Sequence, residues 1–137
     1  MAGKILLEVV TPEHLLLSKQ VDEVIAPGSE GEFGVLPGHA PFITTLKIGE
    51  LRYKIGDAWS HMAVLWGYAE VNPTKVTILA EIAEKAEDID VGRAQAAVAE
   101  AERRLEMGGL PSEVEAAKIS LEKARLREKI AERLHRK

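Results

Sequence analysis

Asp88–Glu115 reads DIDVGRAQAAVAEAERRLEMGGLPSEVE, and its spacing decides the fold. Val91, Ala94, Val98, Ala101 and Leu105 recur at intervals of three and four, which places them on one face of a helix that packs on another helix. Asp88 or Asp90 can cap its start, and Gly108-Gly109 can end it. Beyond Pro111, Ser112-Glu113-Val114-Glu115 reads as a capping box with Ser112 as the cap, opening a second helix whose seam is Val114, Ala117, Leu121 and Ala124. Two helices joined by about four residues lie antiparallel, so the C-terminal part is an αα-hairpin. Alanine fills four of these nine seam positions; its burial contributes much less than the roughly 1.5–3 kcal/mol of a Val or Leu. Helices of about 15–20 residues are marginal in water on their own. The spacing therefore predicts a weakly held, movable hairpin.

Upstream of residue 84 the chemistry changes. All six aromatic residues lie between Phe33 and Tyr68, and five of the six prolines precede residue 74. Short β-branched and apolar runs bounded by Gly, Pro and Asp predict an all-β part. Its strands are expected at Ile5–Val10, Val21–Ala26, Phe42–Ile48, Glu50–Ile55, Ser60–Trp66, Tyr68–Asn72 and Lys75–Leu79, with turns at Gly49, Gly56-Asp57, Gly67 and Asn72-Pro73. In Glu50-Leu51-Arg52-Tyr53-Lys54-Ile55 the alternation is strict, so Leu51, Tyr53 and Ile55 are expected to face a core and Glu50, Arg52 and Lys54 to face water.

Several function classes find no residues to carry them. With 46% hydrophobic and 29% charged residues, the 137-residue chain has the balance of a protein that folds in water. Its longest uncharged apolar runs fall far short of the roughly 20 residues that cross a bilayer, so no direct membrane insertion is expected. Met1–Ile5 moves straight into strand-like sequence without a secretory pattern, which favours a cytoplasmic location. Zero cysteines exclude disulfides and thiolate metal sites, and a net charge of −4 argues against general nucleic-acid binding. His14, His39, His61 and His135 form no H-x-x-x-H pair, and no metal site is expected. Gly28–Gly34 has G-x-x-G-x-x-G spacing with no helix or Lys-Ser/Thr after it, so it reads as a glycine-supported turn into the rigid loop Leu36-Pro37-Gly38-His39-Ala40-Pro41, suited to protein contact. From Glu84 to Lys137 acids and bases balance at twelve each, with a basic C-terminal end of Arg125, Arg127, Lys129, Arg133, Arg136 and Lys137. That end complements the helix terminus and offers a handle for an acidic surface.

GSEGEFGVLPGHAP at Gly28–Pro41 closely resembles the ATP synthase epsilon family. The likeness continues through Gly67–Val71, Val76–Ala80 and Ala86–Ala94, covering the chain almost end to end. It implies a ten-stranded β-sandwich over residues 1–84, followed by a regulatory helical hairpin over residues 88–137. It also implies a non-catalytic rotor (central-stalk) subunit of a proton-translocating F-type synthase, peripheral to the cytoplasmic face of the inner membrane. Its implied partners are the gamma subunit, the ring of c subunits and the alpha/beta catalytic head. Glu32, Leu36 and His39 match the family's loop that faces the c ring and gamma. In this family the hairpin folds against the sandwich or extends along gamma and opposes ATP hydrolysis; Arg125, Arg127, Lys129 and Arg133 would then meet acidic surface on the catalytic subunits.

No cofactor is required by this resemblance. Some members bind ATP, and Glu84, Asp90, Arg93 and Arg127 match their pattern. Where those members carry arginines, this chain aligns Glu100 and Lys123. Lys123 can still meet a phosphate as a point charge, whereas Glu100 repels one; ATP binding is expected to be weak or absent. Two rivals stand beside this reading. A free-standing ATP-sensing protein of the same architecture needs complete phosphate chemistry, and a small β-sandwich enzyme needs a catalytic constellation the sequence does not provide.

Overall fold

The computed structural model describes residues 3–135; Arg136 and Lys137 of the basic end lie outside the described residues. The chain divides into two units, one ending at Lys85 and the other beginning at Ala86.

The first unit is all-β, with strands β1 (Ile5–Val10), β2 (Leu15–Val21), β3 (Glu23–Gly28), β4 (Gly31–Val35), β5 (Phe42–Leu46), β6 (Gly49–Ile55), β7 (Ala58–Val71) and β8 (Lys75–Lys85). They pair in the order β2-β1-β8-β7-β5-β3-β4, with β6 joined to β3 and β7; β1 and β8 run parallel, and the other pairs antiparallel. The inward face of β1 shows the cause of the fold: Ile5, Leu7 and Val9 are fully buried while their neighbours are half-buried, the period-2 signature of a strand. They meet Val24, Leu51, Met62, Val64, Val76 and Ile78 in one core.

The strand count is eight among the described residues, rather than the ten the family resemblance implies. β7 and β8 account for the difference, because each is one long strand with a break in its pairing. Met62–Leu65 pair with Ile82–Lys85 and Gly67–Val71 with Val76–Ala80, and the register lapses at Trp66 and Glu81. Counting the halves separately gives ten. The first part of β7 pairs with β6 and the second with β5, so the bend lets one strand serve two neighbours.

Gly67 is therefore not a turn. Trp66 takes φ 56° and Gly67 φ 139° inside a continuing strand, and a Cβ at Gly67 would collide with the carbonyl oxygen of Leu79. Other expectations also change. Leu15–Val21 was not expected as a strand because only Leu17 and Val21 are buried in it and no clean alternation marks it. Val21 ends β2 rather than opening the next strand, and Gly31–Val35 is a strand, not part of a turn. In β6, Leu51 and Tyr53 face the core, but Ile55 sits exposed beside the hairpin turn and Glu50 is buried. The Glu50 burial is offset by His61, whose Nδ1 lies 2.7 Å from Glu50 Oε2; a buried carboxylate needs such a partner. Asp22 ties the unit's edge: one carboxylate oxygen accepts from Lys4 Nζ at 2.7 Å and the other from the Gly56 N–H at 2.7 Å. The Lys4 hydrogen bond, then that of Gly56, holds its carboxyl below the usual aspartate range.

The second unit contains a 3₁₀ turn (Ala86–Asp88), α1 (Val91–Met107), α2 (Pro111–Glu132) and a 3₁₀ turn (Arg133–His135). Asp90 caps α1, its carboxylate accepting from the Arg93 N–H at 3.0 Å. Gly108 ends α1 at φ 70°, its N–H shared between Arg104 and Leu105 carbonyls at 3.2 Å each. Ser112 is not the cap of α2. Leu110 takes that place, Pro111 occupies the first helical position where its fixed φ and missing N–H fit, and Glu113 reaches back to accept from the Leu110 N–H at 2.8 Å. The proline moves the start ahead of the serine.

Ala94, Ala101, Ala117 and Ala124 are the buried seam residues, while Val91, Val98, Leu105, Val114 and Leu121 are only half-buried. Methyl groups thus fill the predicted seam, while towards the end of α2 Leu126, Ile130 and Ala131 are buried as well. An ion pair crosses between the helices, Arg125 Nη2 to Glu102 Oε2 at 2.8 Å; being exposed, it contributes about 0–1 kcal/mol. The Asp90 cap stabilises the start of α1 by more. Asp90→Ala is expected to lower protection of the α1 amides by about 1 kcal/mol, read by native-state hydrogen exchange, with the β amides unchanged.

Candidate functional site

The loop between β4 and β5 is built from short-range restraints. Gly38 takes φ 89°, a conformation that suits glycine, and its N–H donates to the Pro73 carbonyl at 2.8 Å, pinning the loop to the β7–β8 turn. The His39 N–H donates to the Leu36 carbonyl at 3.1 Å. These bonds, with Pro37 and Pro41 at the flanks, make the segment stiff without regular structure.

The three expected contact residues lie along this segment, Glu32 on β4 and Leu36 and His39 in the loop that follows it. Glu32 is exposed on β4 and accepts from Arg52 Nη2 at 3.0 Å. Leu36 is 58% exposed. His39 Nδ1 lies 2.7 Å from the Ala40 carbonyl oxygen. A carbonyl can only accept, so Nδ1 carries the proton and Nε2 is the ring's remaining polar atom. The sequence reading missed two further members, Phe33 and Phe42. Their rings meet edge to face with centroids 5.1 Å apart, and the Phe42 ring meets His39 at 6.1 Å. Ile43, the next residue of β5, is 69% exposed and points to the sheet face opposite Phe42. The signal was available in the two aromatics flanking the loop, Phe33 having been read as part of a turn and Phe42 as a strand residue.

Elsewhere on this unit an open groove of about 550 Å3 is lined by Val10, Pro12, Leu46, Trp66, Tyr68 and Leu79, with Thr11, Thr45 and Glu81 as its polar groups.

The residues matched to nucleotide-binding members are dispersed in role. Glu84 belongs to β8 of the first unit; Asp90, Arg93, Lys123 and Arg127 belong to the second. Asp90 is engaged as a helix cap. Glu100 accepts two hydrogen bonds from Arg103, at 3.1 Å to Nε and 2.7 Å to Nη2, and the first cause of its lowered carboxyl pKa is this contact. Along α2, Arg125, Lys129 and Arg133 follow at intervals of four and share one face, whereas Arg127 falls on the face of Lys123. The helix therefore separates Arg127 from the other three basic residues.

Among the described residues there is no group of three or more His, Asp or Glu placed to hold a metal ion, and no helix is long and apolar enough to cross a membrane.

The family described as ATP synthase, Delta/Epsilon chain, beta-sandwich domain, matches residues 4–86, and that described as ATP synthase, Delta/Epsilon chain, long alpha-helix domain, matches residues 87–132. An ATP synthase epsilon chain of Syntrophobacter fumaroxidans is 55% identical over 97% of this chain and 99% of its own length. That of Geobacter metallireducens is 50% identical over the whole of both chains. A chain in the mitochondrial ATP synthase of Euglena gracilis, solved as OSCP/F1/c-ring, superposes with a TM-score of 0.83 at 25% identity, covering 94% of this chain and 82% of that one. A sandwich joined to a helical hairpin, matched in both parts and along the full length, places the chain in the ATP synthase delta/epsilon family, as a non-catalytic subunit of that complex.

Proposed function

We propose that the chain is a rotor subunit that couples the c ring to the catalytic head and restrains ATP hydrolysis through its helical hairpin. The stiff loop carrying Glu32, Leu36 and His39 supports the coupling half of this reading, since a loop pinned by Gly38 and Pro73 can transmit torque without deforming. In this role it meets the c ring and the gamma subunit, on the cytoplasmic face of the inner membrane and held there by protein contacts alone. The alanine seam supports the regulatory half, because a two-state element needs a small free-energy gap for modest differential contacts to move it. Extended, the hairpin presents Arg125, Lys129 and Arg133 together to acidic surface on the alpha/beta head, with Arg127 on the other side.

ATP is not expected to be the controlling ligand. Asp90 is used as a cap and Glu100, held ionised by Arg103, puts a negative charge where ATP-binding members carry arginine. Calorimetric titration of the full chain is expected to show no binding at millimolar ATP, with or without magnesium, and a gain in Glu100→Arg. Binding by the unaltered chain would favour a nucleotide-controlled hairpin and revive the sensor reading.

A further inference from the structure

The contact loop is shaped by a row of rings that begins in the sheet. Phe33 stands on β4 opposite Ala26, which is fully buried, and Phe42 stands on β5 opposite Val71, which is 1% exposed. Both backbones are therefore fixed by register. Phe42 packs edge to face on Phe33, with planes 71° apart, and presents its own ring to His39 at 62°. His39 has few other ways to be held. Its backbone N–H is tied within the loop and its Nδ1 proton is given to Ala40, and the Phe42 ring bounds rotation of the imidazole.

We infer that Phe42 is a positioning residue: it fixes the His39 ring so that Nε2 faces outward as the polar atom offered to the rotor partner. Phe42 is 39% exposed and carries no polar group, so direct apolar contact with the partner is the rival to action through His39, and the double substitution separates the two. The inference rests on the reading of this loop as the rotor contact. Edge-to-face ring pairs are worth an amount equivalent to about two- to tenfold in an equilibrium constant, and that sets the size of effect expected.

The test uses the full-length labelled chain and the host synthase, stripped of this subunit and reconstituted in vesicles. His39→Ala is expected to weaken binding about tenfold, Phe42→Ala about two- to tenfold, and Phe42→Tyr to restore binding to within about twofold. The decisive variant is the double substitution. If Phe42 acts through His39, Phe42→Ala in the His39→Ala background adds no further loss. Multiplicative losses in the double variant, or wild-type binding by Phe42→Ala while His39→Ala is weak, would overturn the positioning role and leave the contact loop standing. Wild-type binding by His39→Ala would instead remove the rotor-contact reading, and the inference with it.

Discussion

Gly67→Ala is expected to lower the stability of the β unit by about 3 kcal/mol or more, at the severe end for a single substitution. Two effects combine at this position. The backbone sits at φ 139°, a region open essentially to glycine alone, and the added methyl would strike the Leu79 carbonyl, with Ala80 Cα 2.8 Å away. Neither neighbour is the end of a flexible side chain; both belong to β8, which pairs with β7 on either side of the bend. Relief would require parting the two longest strands. Gly56 provides the control, since it also has positive φ, 62°, but open space around its Cβ direction. Gly56→Ala is expected to cost about 1–2 kcal/mol. Urea melts of the three proteins decide the matter, and equal midpoints for the two variants would mean that β7 can cross between its partners without the close approach.

Removal of residues 88–137 is expected to raise ATP hydrolysis by the assembled synthase several-fold while the remaining β unit still joins the complex. The size follows from occupancy: if the restraining form holds about four-fifths of the population, its removal releases about fivefold. The β unit has a core of its own, so the truncated chain retains the loop at Glu32, Leu36 and His39. Hydrolysis is measured together with proton pumping by the same vesicles. Faster hydrolysis with pumping preserved separates restraint from coupling; hydrolysis unchanged would deny the hairpin any regulatory role.

The helical hairpin was legible in the sequence because its periodicity is long and its stop signals are strong. Gly108-Gly109 and Pro111 admit few alternatives, and the four alanines placed at the seam from spacing are all buried. The cap of α2 was misplaced by the local pull of a serine, where proline geometry prevailed. In the β unit, β1 was readable as a short apolar, β-branched run and β6 from alternation, but β2 was not, since LLLSKQV exposes Leu15 and follows no period. Gly67 was read as a turn because a glycine after a tryptophan carries the same local signal whether a strand reverses or bends. Tertiary pairing makes that choice. Of the candidate site, Glu32, Leu36 and His39 followed from a family motif, while the rings behind His39 lie on two strands and meet only in the folded sheet.

The alanine seam also bears on how the hairpin responds to heat. At the predicted seam, parting α1 from α2 bares the methyl groups of Ala94, Ala101, Ala117 and Ala124 and the inner edges of side chains already half in water. Heat-capacity change scales with the apolar area newly hydrated, so the free energy of parting this seam has little curvature with temperature. The β unit, with Ile5, Leu7, Leu51 and Ile78 wholly enclosed, has the strongly curved one. Warming and cooling therefore bend the stability of the sandwich more than that of the seam.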